Sequence, residues 1–267
     1  MSRAAHPFKE IDLDGMRIAS LTRLELLRYV FDELDAGRGL YLVTANLDIL
    51  RRFRMDARAR ALYERADLTV ADGMPLVWAS RLIGQPLPER IAGSELLSAA
   101  PSLIDGAAYS GHPIYLIGGS EGVAERAADL IEMRSPGARI AGIDDGHYDD
   151  PPSEEVLAEL ISKVRKSGAK IVIVALGSPK QEAIAVRLRE AIEGVFIVGL
   201  GASLSFLAGD LPQAPRLMRR AGLEWLFRLG TEPRRLARRY LVDGLPFALR
   251  LLMSSMMAMV MSAFRRP

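Results

Sequence analysis

The chain has 267 residues, 49% of them hydrophobic and 25% charged, a composition that fits a globular protein rather than a disordered one. It has no cysteine and only three histidines, His6, His112 and His147, with no shared ligand spacing. Disulfides, thiolate chemistry and cysteine-ligated metal are therefore excluded, and no histidine-built zinc site is expected.

The opening, MSRAAHPFKEIDLDG, lacks an apolar core and does not read as a signal peptide, so a cytoplasmic location is expected. Short apolar alternation around Gly15 predicts a hairpin leading into a helix near Arg23–Leu34. Leu40–Thr44 is rich in β-formers and predicts a strand, followed by a helical stretch over Leu47–Ala66. Leu68–Ala71 predicts a second strand ending at Asp72-Gly73, and Pro75 suits the first turn of a helix over Leu76–Ile83. The middle of the chain repeats this rhythm. Strands are expected at Ile114–Ile117, Ala138–Ile143, Lys170–Leu176 and Val195–Val198, with helices at Gly122–Met133, Glu154–Lys166 and Lys180–Ile192. Strands alternating with helices predict an α/β fold. The expected form is a Rossmann-like, mostly parallel sheet covered on both faces, with ligands beyond the carboxyl ends of its strands.

After Leu211 the composition changes. From Gln213 to Pro267 eleven arginines stand against Glu224, Glu232 and Asp243, a net of +8, although the whole chain carries only +2. Such segregation points to an anionic partner. Residues 1–211 are thus read as the core and 212–267 as a basic helical appendage. Leu245–Phe264 reads LPFALRLLMSSMMAMVMSAF, with five of the eleven methionines. It barely reaches the ~20 apolar residues of a spanning helix and carries Arg250, so an interfacial helix is expected. Upstream arginines, with Arg265 and Arg266, would then meet anionic head groups. A Met-rich apolar helix also suits a core position or a homo-oligomer interface, but charge and apolarity falling in the same terminal region favour the membrane.

Several strand ends carry candidate chemistry. Thr44 and Asn46 could orient a sugar or phosphate, although Asn46 also suits a helix cap. Asp72 beside Gly73 suits a general base, although Asp-Gly is also an ordinary turn. Gly118-Gly119-Ser120 and Gly177-Ser178-Pro179-Lys180 each join a strand to a helix, whose N-terminus could receive a diphosphate; Pro179 at the first helical position is the plain reading. Asp12-Leu13-Asp14 has a metal-dependent transferase spacing but belongs to the expected hairpin turn. Gly199-Leu-Gly201-Ala-Ser-Leu204 starts like a dinucleotide fingerprint but lacks its third glycine.

Together these strings resemble the WecG/TagA/CpsF glycosyltransferases. The matching stretches are Val43-Thr-Ala-Asn46, Ala66-Asp-Leu-Thr-Val-Ala-Asp72-Gly73-Met74, Pro88-Glu-Arg-Ile-Ala-Gly-Ser94 and Val174-Ala-Leu-Gly-Ser-Pro-Lys-Gln-Glu182. Gly222-Leu-Glu-Trp-Leu-Phe-Arg228 is the strongest, followed by Glu232-Pro-Arg-Arg235 and Arg238-Arg-Tyr240. The resemblance implies inverting, metal-independent and cofactor-free transfer from a UDP-sugar to a polyprenyl-diphosphate-linked saccharide. It also implies a membrane-binding appendage that closes over the site at the cytoplasmic face. It assigns the base to Asp72, substrate orientation to Thr44 and Asn46, and a further polar role to Gln181. The diphosphate would face arginines among Arg228, Arg234, Arg235, Arg238 and Arg239. Departures occur at Ser205, where many members have Asp, at Gln213-Ala-Pro215 for Arg-Ala-Pro, and at Glu95 for Asp. They leave the donor sugar open, since the family includes N-acetylmannosamine-type transferases and a xanthan-type branch using glucose or relatives. Two other readings stand beside this one. An NAD-type oxidoreductase would rest on Gly199–Gly201. A non-catalytic basic module would rest on the tail, which is poor in the aromatics that nucleic-acid binding uses, so no nucleic-acid partner is expected.

Overall fold

A computed structural model describes residues 6–220 and 222–264. Arg265 and Arg266, expected at a lipid surface, lie outside the described residues.

The chain opens with the expected hairpin, β1 (Glu10–Leu13) and β2 (Met16–Ala19). Its turn is closed by Asp12, whose Oδ1 accepts from Gly15 N at 2.9 Å, which settles the Asp12-Leu13-Asp14 motif as turn chemistry. Helix α1 (Arg23–Asp35) starts at a capping box between Thr22 and Glu25. Then come β3 (Leu40–Ala45), α2 (Leu47–Met55), α3 (Ala57–Tyr63), β4 (Leu68–Ala71) and α4 (Met74–Leu82). The single helix expected over Leu47–Ala66 is two, because Asp56 leaves the helical conformation to cap α3 through Arg58 N and Ala59 N. Helices α5 (Gly93–Ser98) and α6 (Leu103–Ser110) were not expected.

The second half follows as β5 (Ile114–Gly118), α7 (Val123–Arg134), β6 (Ile140–Asp144), α8 (Glu154–Ser167), β7 (Ile171–Ala175), α9 (Lys180–Ala191), β8 (Phe196–Gly199) and α10 (Ser203–Leu207). Pro179 occupies the cap of α9 rather than its first helical position. The C-terminal helices are α11 (Arg216–Arg220), α12 (Glu224–Thr231), α13 (Pro233–Ala237), a π-helical stretch (Arg238–Gly244) and α14 (Leu245–Phe264).

Six strands form one parallel sheet in the order β4-β3-β8-β7-β5-β6. The Ile-Val-Ile-Val-Ala run of β7 is buried throughout, as a parallel strand covered on both faces must be. Two apolar clusters fill the faces. One gathers Tyr41, Val43, Ile184 and Ile197; the other gathers Leu42, Ile104, Ala127 and Val198.

The start of α14 belongs to the first cluster through Phe247 and Leu251, 7% and 2% exposed. Burying each contributes about 1.5–3 kcal/mol. Arg250 does not point to lipid: its guanidinium holds Asp14 at 2.9 Å and lies over Phe247. The second half of α14 is different. Met253, Met256, Met257, Met259, Val260 and Met261 are all exposed. Pro233–Met261 is long and apolar enough to cross a membrane by length and composition, with only 22% of its most apolar window buried.

Candidate active site

A cleft of about 340 Å³ opens at the carboxyl ends of β3 and β4. Asn46 and Asp72 form its floor, each one residue past its strand. Asn46 Oδ1 accepts from Asp48 N and Ile49 N at 3.0 and 3.1 Å, capping α2 and leaving the side-chain amide nitrogen for other partners. Helix α4 begins at Gly73 with no side-chain cap, so its N-terminal end also meets the cleft. One wall is Met74, Pro75 and Trp78 of α4. The opposite wall comes from the end of the chain: Glu224, Trp225 and Arg228 of α12, Arg239 and Tyr240 of the π-helical stretch, and Leu245 and Leu249 of α14.

Asp72 is half-buried, its side chain 24% exposed. Burial raises its pKa to about 7, against the opposing pull of the Arg90 guanidinium at 3.9 Å. Glu224 and Glu95 nearby push in the same direction as burial. Asp72 can therefore exchange a proton at neutral pH, the range in which a general base works best. Asp48 has the opposite character. Burial opposes its charge, but Arg239 at 3.2 Å and Arg52 at 3.1 Å outweigh it and hold the carboxyl below the usual range. It is a fixed anion that tethers the π-helical stretch to α2.

Arg228 and Arg239 line the cleft, and each has a buried Nε with no hydrogen-bond partner. Arg228 also lies over the Phe206 ring, at 5.3 Å. Buried donors are normally satisfied, so two orphans beside one cleft mark a place for an acceptor. No group of three or more His, Asp or Glu side chains is arranged to hold a metal among the described residues.

The other expected site residues lie elsewhere. Thr44 and Gln181 are 5% and 4% exposed and converge on Gly199, at the end of β8. Thr44 Oγ1 donates to Gly199 O at 3.4 Å, Gln181 Oε1 accepts from Gly201 N at 3.0 Å, and Gln181 Nε2 donates to Glu182 at 2.9 Å. The Gly199–Gly201 turn is thus filled by the Gln181 side chain rather than left open for a dinucleotide. The Gly118-Gly119-Ser120 turn follows β5, three strands from β3, roughly 14 Å along the sheet edge. There Gly119 N already donates to Ala175 O at 3.1 Å. Gly177 and Lys180 follow β7, and the Lys180 ammonium donates to Tyr148 O. Arg235 pairs with Glu232 at 2.6 Å, and neither it nor the exposed Arg234 and Arg238 line the cleft.

Sequence reasoning missed the part of Asp48, Arg90 and Glu224 in the cleft, and it noted Glu95 only as a departure from the family's Asp. Arg90 and Glu224 did stand inside strings that carry the resemblance, Pro88–Ser94 and Gly222–Arg228.

The profile of the "Glycosyl transferase WecG/TagA/CpsF family" matches residues 11–259, nearly the whole described chain. The chain belongs to this family. It is therefore a glycosyltransferase, and the Rossmann-like sheet is the one expected of it. It is similar to the N-acetylglucosaminyldiphosphoundecaprenol N-acetyl-beta-D-mannosaminyltransferase of Bacillus spizizenii (strain W23). The two are 34% identical over 202 residues, 76% of this chain and 75% of the relative. The NAD-type and non-catalytic readings give way to the glycosyltransferase.

Proposed function

We propose that this glycosyltransferase moves a hexose from a UDP-sugar to a polyprenyl-diphosphate-linked saccharide, with inversion, at the cytoplasmic face of the membrane. The observation that carries the reading is the joining of two chemistries in one cleft. A neutral-range carboxyl sits at its floor, two orphan arginine donors stand in the opposite wall, and exposed leucines of α14, Leu245 and Leu249, form its rim. Transfer from a nucleotide diphosphate to a lipid-borne acceptor needs both, the donors for the leaving diphosphate and the apolar rim for the lipid. The Bacillus relative is named for an acceptor of that class.

In the proposed chemistry Asp72 takes the acceptor hydroxyl proton as that oxygen attacks the anomeric carbon. The bond from the anomeric carbon to the diphosphate oxygen breaks with its electron pair on the diphosphate, and single displacement inverts the centre. Arg228 and Arg239 meet the developing negative charge with fixed donors in a partly dry site. Asn46 orients the sugar through its free amide group, and Thr44 and Gln181 act from behind by fixing the turn after β8. The turns at Gly118–Ser120 and Gly177–Lys180 share the same carboxyl edge and suit the donor. Residues 212–267 would act as the unit that covers the cleft and rests on the membrane.

The test is a screen of UDP-sugars for thermal protection. A ligand at about 100 times its Kd adds about 2.7 kcal/mol to the folded state, which raises Tm by several degrees. No shift with any UDP-sugar, against a clear shift with another nucleotide class, would overturn the donor assignment.

Metal dependence gives a separate expected outcome. Transfer should proceed unchanged in excess chelator, because arginines and helix ends supply the positive charge. Loss of activity that magnesium or manganese restores would move the charge sink to acidic groups such as Asp144 and Asp145.

A further inference from the structure

Arg90 is the junction of the cleft. Its guanidinium is only 14% exposed and faces three carboxylates from three segments of the chain. Nη2 donates to Glu95 of α5 at 2.9 Å, so that nitrogen is committed within the core. Nη1 is shared. It lies 3.4 Å from Glu224 Oε2 on α12 and 3.9 Å from Asp72 Oδ1. Glu95 is drawn in turn by Arg219 of α11, at 3.6 Å. Two helices late in the chain thus grip the Arg90–Glu95 pair, and one of them competes with Asp72 for a single nitrogen.

Three carboxylates share two guanidiniums here, so one carboxylate is always undersupplied. The distances show which: Asp72 is the furthest from its cation. An ion pair at 3.9 Å without a hydrogen bond is far weaker than a hydrogen-bonded one. Glu224 is not needed to hold α12 in a helix; it stands at that helix's first position, where any acid suits the dipole. Its reach to Arg90 is a tertiary contact spanning 134 residues of sequence.

We infer that Glu224 is a positioning residue for glycosyl transfer: by occupying Nη1 of Arg90 it keeps Asp72 out of a tight ion pair, so the carboxylate is free for the acceptor hydroxyl only while α12 is docked. This rests on the reading of Asp72 as the base. Without the Glu224 charge, Arg90 swings to Asp72, pairs with it and makes it a weaker base that titrates lower. The other charges around Asp72 stay in place: Glu95 on α5, Arg219 on α11, Arg228 on α12, Arg239 in the π-helical stretch, and Asp48 on α2.

The experiment is the pH dependence of kcat/KM for Glu224→Gln and Glu224→Asp in the full-length protein, with Tm measured alongside. The glutamine keeps the shape but removes the charge, and its neutral amide oxygen does not outcompete the Asp72 carboxylate for Nη1. Its acid limb should move from near pH 7 to lower pH by about one unit, the size of a nearby-charge effect. The aspartate keeps the charge one methylene further back and should restore most of the limb. A purely structural role would lower Tm and rate without moving the limb. The Asp72 carboxyl carbon, followed by NMR in the unliganded protein, should titrate lower in Glu224→Gln, a readout that needs no turnover. A folded Glu224→Gln with an unmoved limb and an unmoved carbon titration overturns the inference. If the glutamine variant does not fold, Glu224→Ala takes its place, and a folded Glu224→Ala with an unmoved limb and an unmoved carbon titration overturns the inference equally. Asp72→Asn is assayed in parallel. If that variant turns over normally, it is the base assignment that has failed and not the coupling.

Discussion

Asp72→Asn should lower kcat by about 10²–10⁴-fold, the usual loss on removing a general base. Nucleotide affinity should stay close to wild type, because Asp72 stands on the cleft floor beside the acceptor path and apart from the β5 and β7 turns. The substitution should not unfold the protein. The backbone N–H of Gly93 bonds Asp72, and an asparagine oxygen can accept that bond as well. Stability gives a second, signed readout. The carboxyl titrates higher in the folded chain than in the unfolded chain, where it lies near 4. Folding is therefore penalised as pH rises from about 4 to about 7, and the full penalty remains above pH 7. An asparagine carries no such penalty. The variant should melt at or above the wild-type temperature at pH 8 and lose that advantage at pH 4. A variant that is inactive and also less stable at pH 8 would show that Asp72 serves the fold instead. Enzymes often hold such strained groups at their sites.

Removing residues 256–267 should abolish sedimentation with anionic vesicles and cut transfer to a membrane-borne acceptor at least tenfold, by the loss of several exposed apolar side chains and the terminal arginines. The cut after Ser255 is chosen from the packing. Phe247, Leu251 and Ser255 are buried, and Arg250 holds Asp14, so an earlier cut would strip the core cluster and expose the flank of α4. The shortened protein should keep its melting temperature and its response to a UDP-sugar. Binding of the intact protein should weaken as salt rises, because the arginine contribution is screened over about 8–10 Å. If the shortened protein binds vesicles as well as the intact one, the exposed methionines are not the anchor, and their face is left for another role.

The sheet was legible in the sequence because its strands are apolar runs bounded by glycine. Ile171–Ala175 and Leu68–Ala71 could be read almost to the residue. The missed helices failed for a local reason. Glycines stand within α5 and α6, where they lower helix propensity, and packing is what requires them. A Cβ on Gly106 would sit 2.1 Å from the Phe31 ring, and one on Gly93 would sit 3.0 Å from Leu200. Close approach between elements decides both positions, and no window of sequence contains the partner.

The site divides in the same way. Asp72 and Asn46 were legible because each stands directly after a strand, where ligands of parallel sheets bind. Thr44, inside β3, and Gln181, in the first turn of α9, lie near the same sheet edge, yet the alternation of the strand and the phase of the helix turn them onto Gly199. Arg90, Glu95 and Glu224 carried no local pattern. Their meaning comes from a meeting between residues over 100 positions apart, which only the folded chain reveals.

The order in which the cleft is assembled has a consequence for synthesis. Its floor is laid down early, at Asn46 and Asp72, and its far wall comes from residues 222–252. During translation the sheet can form from the amino end onward, as domains generally do. A nascent chain that has completed its sheet still lacks Glu224, Arg228 and Arg239. It has a carboxyl on the floor but lacks the arginines proposed to receive the leaving diphosphate, and it has no apolar rim. Activity should switch on only with the last helices, when the same stretch that finishes the enzyme also brings the exposed methionine face. A chain that ends before residue 222 would lack the far wall, and with it the arginines proposed to receive the leaving diphosphate, so it could not consume donor before its acceptor is within reach.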